Sequence, residues 1–269
     1  MHREKQPRLA IRKARPEPPE TAYFQPIALQ YALTNISAEP LLIDSVTLQF
    51  QPDMDTAPVY VDATFGFRLV PNETRVIDVE VTPTPEFLDA TNEIQIRVKY
   101  HLESEDGRFI AATPERHKQG YYVIIRKPAR NLGDVFISFK QMEDLRFANI
   151  LERYLKRAGF KPHLFIREPN VGAHQWITIE NILKTCHSAF IVWTDKTDFG
   201  EGVQTEIRIC RRLGVREIPL LERGLDVPSC FDSRRTYLRF DPQQPAAEFS
   251  EAVASLRTQI LETSAPHGK

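Results

Sequence analysis

The run Asp134-Val-Phe-Ile-Ser-Phe139 constrains the fold more than any other stretch of this chain. A short apolar strand that enters a polar turn, Lys140-Gln-Met-Glu-Asp144, and then an amphipathic helix suits a central parallel strand covered on both faces. The residues before it read quite differently, so one domain ends and another begins near this point. A chain of 269 residues is long enough for two domains, each with its own core.

From Tyr23 to Ile125 the dominant period is two. Ile27, Leu29, Tyr31 and Leu33 alternate with smaller or polar residues, as do Val46, Leu48 and Phe50, and Ile77, Val79 and Val81. Ile94, Ile96, Val98 and Tyr100 alternate with Gln95, Arg97 and Lys99. Such alternation predicts strands with one buried face. Turn residues separate them at 35–40, 70–73, 83–85 and 105–107. About seven short strands without disulfides predict an all-β antiparallel sandwich of immunoglobulin-like type over 21–126. Nothing in it reads as catalytic, and its expected role is recognition or assembly, with an activating ligand or partner that the sequence does not name.

Residues 1–20 carry Arg3, Lys5, Arg8, Arg12, Lys13 and Arg15 among Pro7, Pro16, Pro18 and Pro19, which predicts a basic disordered tail. The net charge of −1 argues against nucleic acid as a bulk electrostatic partner. No run has the length and apolarity of a membrane span, and no apolar segment follows the basic residues as in a secretory signal. Cys186, Cys210 and Cys230 lack paired spacing, which fits reduced thiols and a cytoplasmic setting. His163, His174 and His187 lack ligand spacing, so no metal site is expected.

After the linker 126–131, strands and helices alternate over 132–264. Apolar strands at Asp134–Phe139, 163–166, 189–193, 218–221 and 237–240 are separated by helical patterns. The first of these carries Ala148, Leu151, Leu155 and Ala158 and stops at Gly159. The expectation is an α/β doubly wound, parallel, five-stranded sheet of flavodoxin-like type. Ligands on such sheets bind beyond the carboxyl ends of the strands, in loops that begin here at Ser138, Arg167, Thr194 and Glu222.

An ordered series of motifs runs through this domain: Asp134–Phe139 with Glu143-Asp144 beyond it, Gly159-Phe160, Trp176 with Ile179 and Ile182, Cys186-His-Ser-Ala-Phe-Ile-Val-Trp193, Glu206-Ile207 and Ile218-Pro219-Leu220. The series resembles a Toll/interleukin-1 receptor (TIR) domain. Some members of that family signal as scaffolds through self-association. Others, many of them bacterial, cleave NAD+ between nicotinamide and ribose and release ADP-ribose or a cyclic form. The resemblance implies NAD+ as substrate with no cofactor, self-association through the domain, and a prokaryotic antiphage immune role.

In the enzymes one glutamate on the helix after the third strand is catalytic, and Glu206 holds that position. Nicotinamide is attached as a cation and needs no general acid to depart; a carboxylate stabilises the oxocarbenium-like ribose and holds its hydroxyls. Ser138, Phe139 and Lys140 would line the pocket, Phe139 by stacking on a flat ring. Trp176 either faces the loop after the second strand or anchors its helix in the core. The segment Phe165–Ala173, with Arg167, Glu168 and Asn170, would gate the pocket. Read without the resemblance, Glu206 is a first-turn glutamate favoured by the helix dipole. The chain departs from the family at Gly202, where relatives carry an aromatic, and at Lys140-Gln141-Met142, where small polar residues are usual. Asp195, Asp198 and Glu201 are further acidic candidates in the adjoining loop.

Overall fold

The computed structural model describes residues 9–16, 18, 20–50, 59–88, 90–103, 110–112, 120–126, 128, 130–140, 142–166, 174–197, 201–234 and 236–264. The chain divides into two units, one formed by Met1–Pro83 with Phe87–Arg126 and the other by Thr84–Glu86 with Lys127–Lys269.

The first unit is built from β1 (Leu9–Lys13), β2 (Thr21–Ala22), β3 (Ile27–Asn35), β4 (Leu41–Phe50), β5 (Val59–Leu69), β6 (Thr74–Val81), β7 (Thr91–Leu102), β8 (Ile110–Ala112) and β9 (Tyr121–Arg126). One sheet has the order β1-β3-β6; the other has the order β2-β9-β7-β4-β5, with β8 on β7. All pairs are antiparallel except β2 with β9. The inward residues of both sheets, among them Leu29, Tyr31, Leu33, Val46, Leu48, Ile94, Ile96 and Val98, form one core, so the unit is a two-sheet sandwich.

In β4 the buried set passes from odd positions (Leu41, Ile43) to even ones (Val46, Leu48, Phe50). The registers to β7 and β5 shift at Ile43/Ser45 and Val46/Thr47. A bulge there inserts one residue and keeps both halves facing the core. The expectation of a disordered amino-terminal tail is corrected at Leu9–Lys13, which pairs antiparallel with Tyr31–Asn35 and buries Ile11 in the core. The basic residues Arg3, Lys5 and Arg8 lie outside the described residues.

The second unit runs β10 (Asp134–Ser138), α1 (Leu145–Ala158), β11 (Lys161–Leu164), α2 (His174–Leu183), β12 (Cys186–Trp193), α3 (Glu201–Leu213), β13 (Arg216–Glu222), β14 (Leu238–Phe240) and α4 (Ala246–Ser264). Its five strands are parallel in the order β11-β10-β12-β13-β14. Renumbered from its first strand, this is the flavodoxin-like order 2-1-3-4-5. As its apolar run requires, β10 is buried from Val135 to Ser138.

α1 packs with α4, and α2 with α3. Phe136 joins Ile179, Leu183, Ile209 and Cys210 on the α2/α3 face. Phe147, Phe240 and Phe249 meet ring to ring on the α1/α4 face, with centroids 5.0–6.3 Å apart. α1 ends at Gly159 in the left-handed region, φ 94°, where its N–H and that of Phe160 bond the last turn. A side chain there would meet the Arg130 carbonyl at 2.9 Å, so glycine is required twice over.

Candidate functional site

β10 and β12 are adjacent, and the chain leaves them toward opposite edges of the sheet. This is the topological switch point, where the loops splay and leave a crevice beyond the carboxyl ends. Two buried carboxylates lie there, one on each side of the sheet.

The first is Glu206. Because strand side chains alternate, Ser138 falls on the same face as Phe136, toward α2 and α3. Its hydroxyl donates a hydrogen bond to Glu206 Oε2, and the two residues are 1% and 3% exposed. Glu206 stands in the second turn of α3, since the helix begins at Glu201; the first-turn reading is corrected. Val203 and Ile207 pack against Ile191, Trp193 and Leu221 and fix the rotation of α3 that turns Glu206 inward.

The second carboxylate is Asp144, which the sequence reading passed over as a site residue. It occupies the N-cap position of α1, yet its side chain makes no capping bond. The Thr194 hydroxyl donates to Oδ1 and Oδ2, both at 3.0 Å, and the Thr197 hydroxyl to Oδ2 at 3.2 Å. Asp144, Thr194 and Thr197 are all at or below 2% exposure. Burial raises the Asp144 carboxyl above the ordinary range, against the lowering effect of the two threonine bonds. The signal was present in the sequence: an aspartate immediately before a helical run, and a threonine immediately after an apolar strand at the switch point.

The remaining expected site residues are placed as follows. Phe139 is buried, at 6% exposure, as Ser138 and Glu206 are. Lys140 lies 3.6 Å from Glu143 in a partly exposed pair. Trp176 is half-buried and packs, as Phe165 does, against the α2/α3 core. Asp195 is exposed and takes a 2.8 Å bond from Lys196, and Glu201 is an exposed helix start. Asp198, Arg167, Glu168 and Asn170 lie outside the described residues.

The opposite end of the sheet is different in kind. Asp134 is held by His163 Nε2 at 2.7 Å and Lys161 Nζ at 3.4 Å. These partners keep its carboxyl below the ordinary range, the His163 bond foremost. A cavity of about 450 Å³ also lies toward the amino ends of β13 and β14, lined by Arg211, Arg216, Glu217, Pro219, Phe231 and Tyr237 among others. Arg211 is committed there to Glu217, at 2.8 and 3.0 Å, and to the Cys230 carbonyl. The three cysteines form no disulfide, and burial pushes the thiols of Cys186 and Cys210 up to about 11 and about 12, which disfavours their thiolates. No group of three or more metal-ligating side chains occurs among the described residues. No helix among them is long and apolar enough to cross a membrane.

No family model and no curated protein matches this chain. Among solved structures it is similar to an ASH/PapD-like domain of human CEP192 (TM-score 0.31, 11% identity, 47% of this chain and 89% of that one). It is also similar to a Bordetella pertussis protein assigned as ApaA (0.32, 16%, 46% and 98%) and to the E. coli chaperone DraB (0.30, 15%, 45% and 55%). Each covers less than half of this chain, and likeness at this level says nothing of site or activity.

Proposed function

We propose that this chain is an assembly-activated NAD+ glycohydrolase of TIR type, with Glu206 as its catalytic carboxylate. The observation that carries the reading is the Ser138–Glu206 hydrogen bond, which joins the end of β10 to α3 at the switch point of a parallel sheet. A hydroxyl donor holds one carboxylate oxygen in place, and a carboxylate fixed at that point can stabilise an oxocarbenium-like ribose.

In the reaction the bond between C1′ and the pyridinium nitrogen breaks. Its electron pair returns to the ring and neutral nicotinamide leaves. The oxocarbenium-like ribose stands beside the Glu206 carboxylate until water attacks C1′; loss of the water proton completes ADP-ribose. Capture by an adenine nitrogen instead gives the cyclic form.

Burial of Glu206 supports conditional activity. A carboxylate 3% exposed has to be uncovered before a ribose reaches it, and self-association through the α/β unit is the device we assign to that step. The sandwich then serves as sensor for a ligand or partner, and the whole fits a cytoplasmic immune effector that depletes NAD+. One observation favours the alternative of a non-catalytic TIR scaffold: the cavity described above lies away from Glu206.

The test is to incubate the purified chain with NAD+ at rising protein concentration, with and without a crowding agent, and to follow nicotinamide. Release that climbs more steeply than protein concentration is expected. Absence of release under every condition contradicts the enzyme reading and leaves the scaffold.

A further inference from the structure

We infer that Asp144 is a positioning residue for the Glu206 site, acting by clasping the turn Thr194–Thr197 that leads from β12 toward α3. The inference rests on the glycohydrolase reading and extends it to a second carboxylate.

The turn is closed on itself: Thr197 N–H donates to the Thr194 carbonyl at 3.0 Å, and Thr194 N–H to the Thr197 hydroxyl at 2.9 Å. Lys196 N–H donates to the Thr194 hydroxyl at 3.2 Å. With both hydroxyls accepting from backbone N–H groups, their own protons are free to be given away, and both go to Asp144. Asp144 is thereby the common acceptor that ties the end of β12 to the start of α1, while Asp195 N–H reaches Glu222 at the end of β13. The segment after the turn enters α3, whose second turn carries Glu206.

A merely stabilising role would spend this carboxylate differently. At a helix N-cap the ordinary use of an aspartate is to accept from the helix's own first N–H groups. Asp144 gives that up, remains buried, and among the described residues bonds to hydroxyls and backbone dipoles rather than to a lysine or arginine. The charged groups around it are Glu143 beside it in sequence, which raises its pKa further, and Lys196 on the exposed side of the turn. Burying a charge without a close cationic partner costs stability, so replacing it with a neutral isostere should not weaken the fold. What the ionised form supplies is two acceptor oxygens at once, and hence a single geometry for the turn.

The experiment compares wild type with Asp144→Asn, Thr194→Val and the double variant, measuring kcat and KM for nicotinamide release, melting temperature, and hydrogen exchange at the Lys196 and Thr197 amides. Each single variant is expected to lower kcat about tenfold with KM moved by less than about twofold. The double variant should be about as slow as the slower single, because the two side chains act as one device. Asp144→Asn should melt no lower than wild type, and its Lys196 and Thr197 amides should exchange about tenfold faster. An unchanged kcat, multiplying single effects, or a loss of rate matched by loss of folded protein overturns the inference. If wild type releases no nicotinamide, the enzyme reading fails separately. Exchange then judges the clasp alone, and unchanged amide protection in Asp144→Asn overturns it.

Discussion

The two ends of the parallel sheet use their charges in opposite ways. At the amino end, Asp134 meets a lysine and a histidine, Arg211 meets Glu217, and the groups are partly exposed. At the carboxyl end, Glu206 and Asp144 are buried, and the bonds described for them come from serine and threonine hydroxyls. An ion pair at a partly wet surface is self-sufficient and contributes little to stability. Burial raises the Asp144 carboxyl, whereas the amino-end partners lower that of Asp134.

Phe136 lies midway along β10 between the two ends, and its loss should show the largest effect. Phe136→Ala removes a 1% exposed ring from the α2/α3 core, at an expected cost of about 3–5 kcal/mol measured by denaturant unfolding. Loss of under about 1 kcal/mol would mean that the ring is not packed in this core.

Ser138→Ala acts on the carboxyl end alone. Removing a hydrogen bond to a charged group is worth about 1.5–3 kcal/mol, read here as a roughly tenfold or greater fall in nicotinamide release. Ser138→Thr, which keeps the hydroxyl, should restore part of the rate. A variant lacking the hydroxyl but as fast as wild type would break the comparison at its most specific point.

Gly133→Ala acts on the amino end alone. Gly133 has φ 110°, and an added Cβ would stand 2.8 Å from the His187 ring. The strain should cost about 1–3 kcal/mol, seen as a lower melting temperature with no change in kcat for the folded fraction. A change in kcat would show the two ends to be coupled.

The smallest effect concerns pH. Asp134 has its pKa lowered on folding, by His163 first and then Lys161. Its contribution is therefore present above the ordinary carboxyl value and lost as pH falls through the depressed one. Solvent screening holds the amount to under about 1 kcal/mol. Asp134→Asn should lower the melting temperature slightly at neutral pH, remove its fall through that acidic window and leave activity untouched; a variant whose melting temperature still falls as steeply there would contradict the assignment.

Much of this architecture is legible in the residues themselves. The apolar run through Phe136 and Ile137 predicts a doubly covered strand, and β10 is one; Gly159 predicts a helix stop, and it is one. Alternation at Leu29–Leu33 and Ile94–Tyr100 gives the sandwich faces. Leu9–Lys13 escaped because prolines and basic residues around it mask a short edge strand whose pairing is supplied by β3. The bulge in β4 is visible only as a slip in period near Asp44-Ser45.

At the site, Ser138 and Glu206 are far apart in sequence and meet only because alternation along β10 and the rotation of α3 turn both inward. Phe139 reads as a stacking platform, and its ring is buried as Ser138 and Glu206 are, a degree of burial that its place at the end of an apolar strand foretells. Asp144 reads as a helix cap, and only tertiary contact reveals its threonine partners.

The most direct test is Glu206→Gln, which keeps the shape and the reach of the side chain while removing its charge. Nicotinamide release from NAD+ should be measured for this variant beside wild type at a protein concentration where wild type is active. The account predicts a fall of about a hundredfold or more, with the melting temperature held. Equal rates in the two proteins would contradict it, and would remove Glu206 from the chemistry whatever the fold.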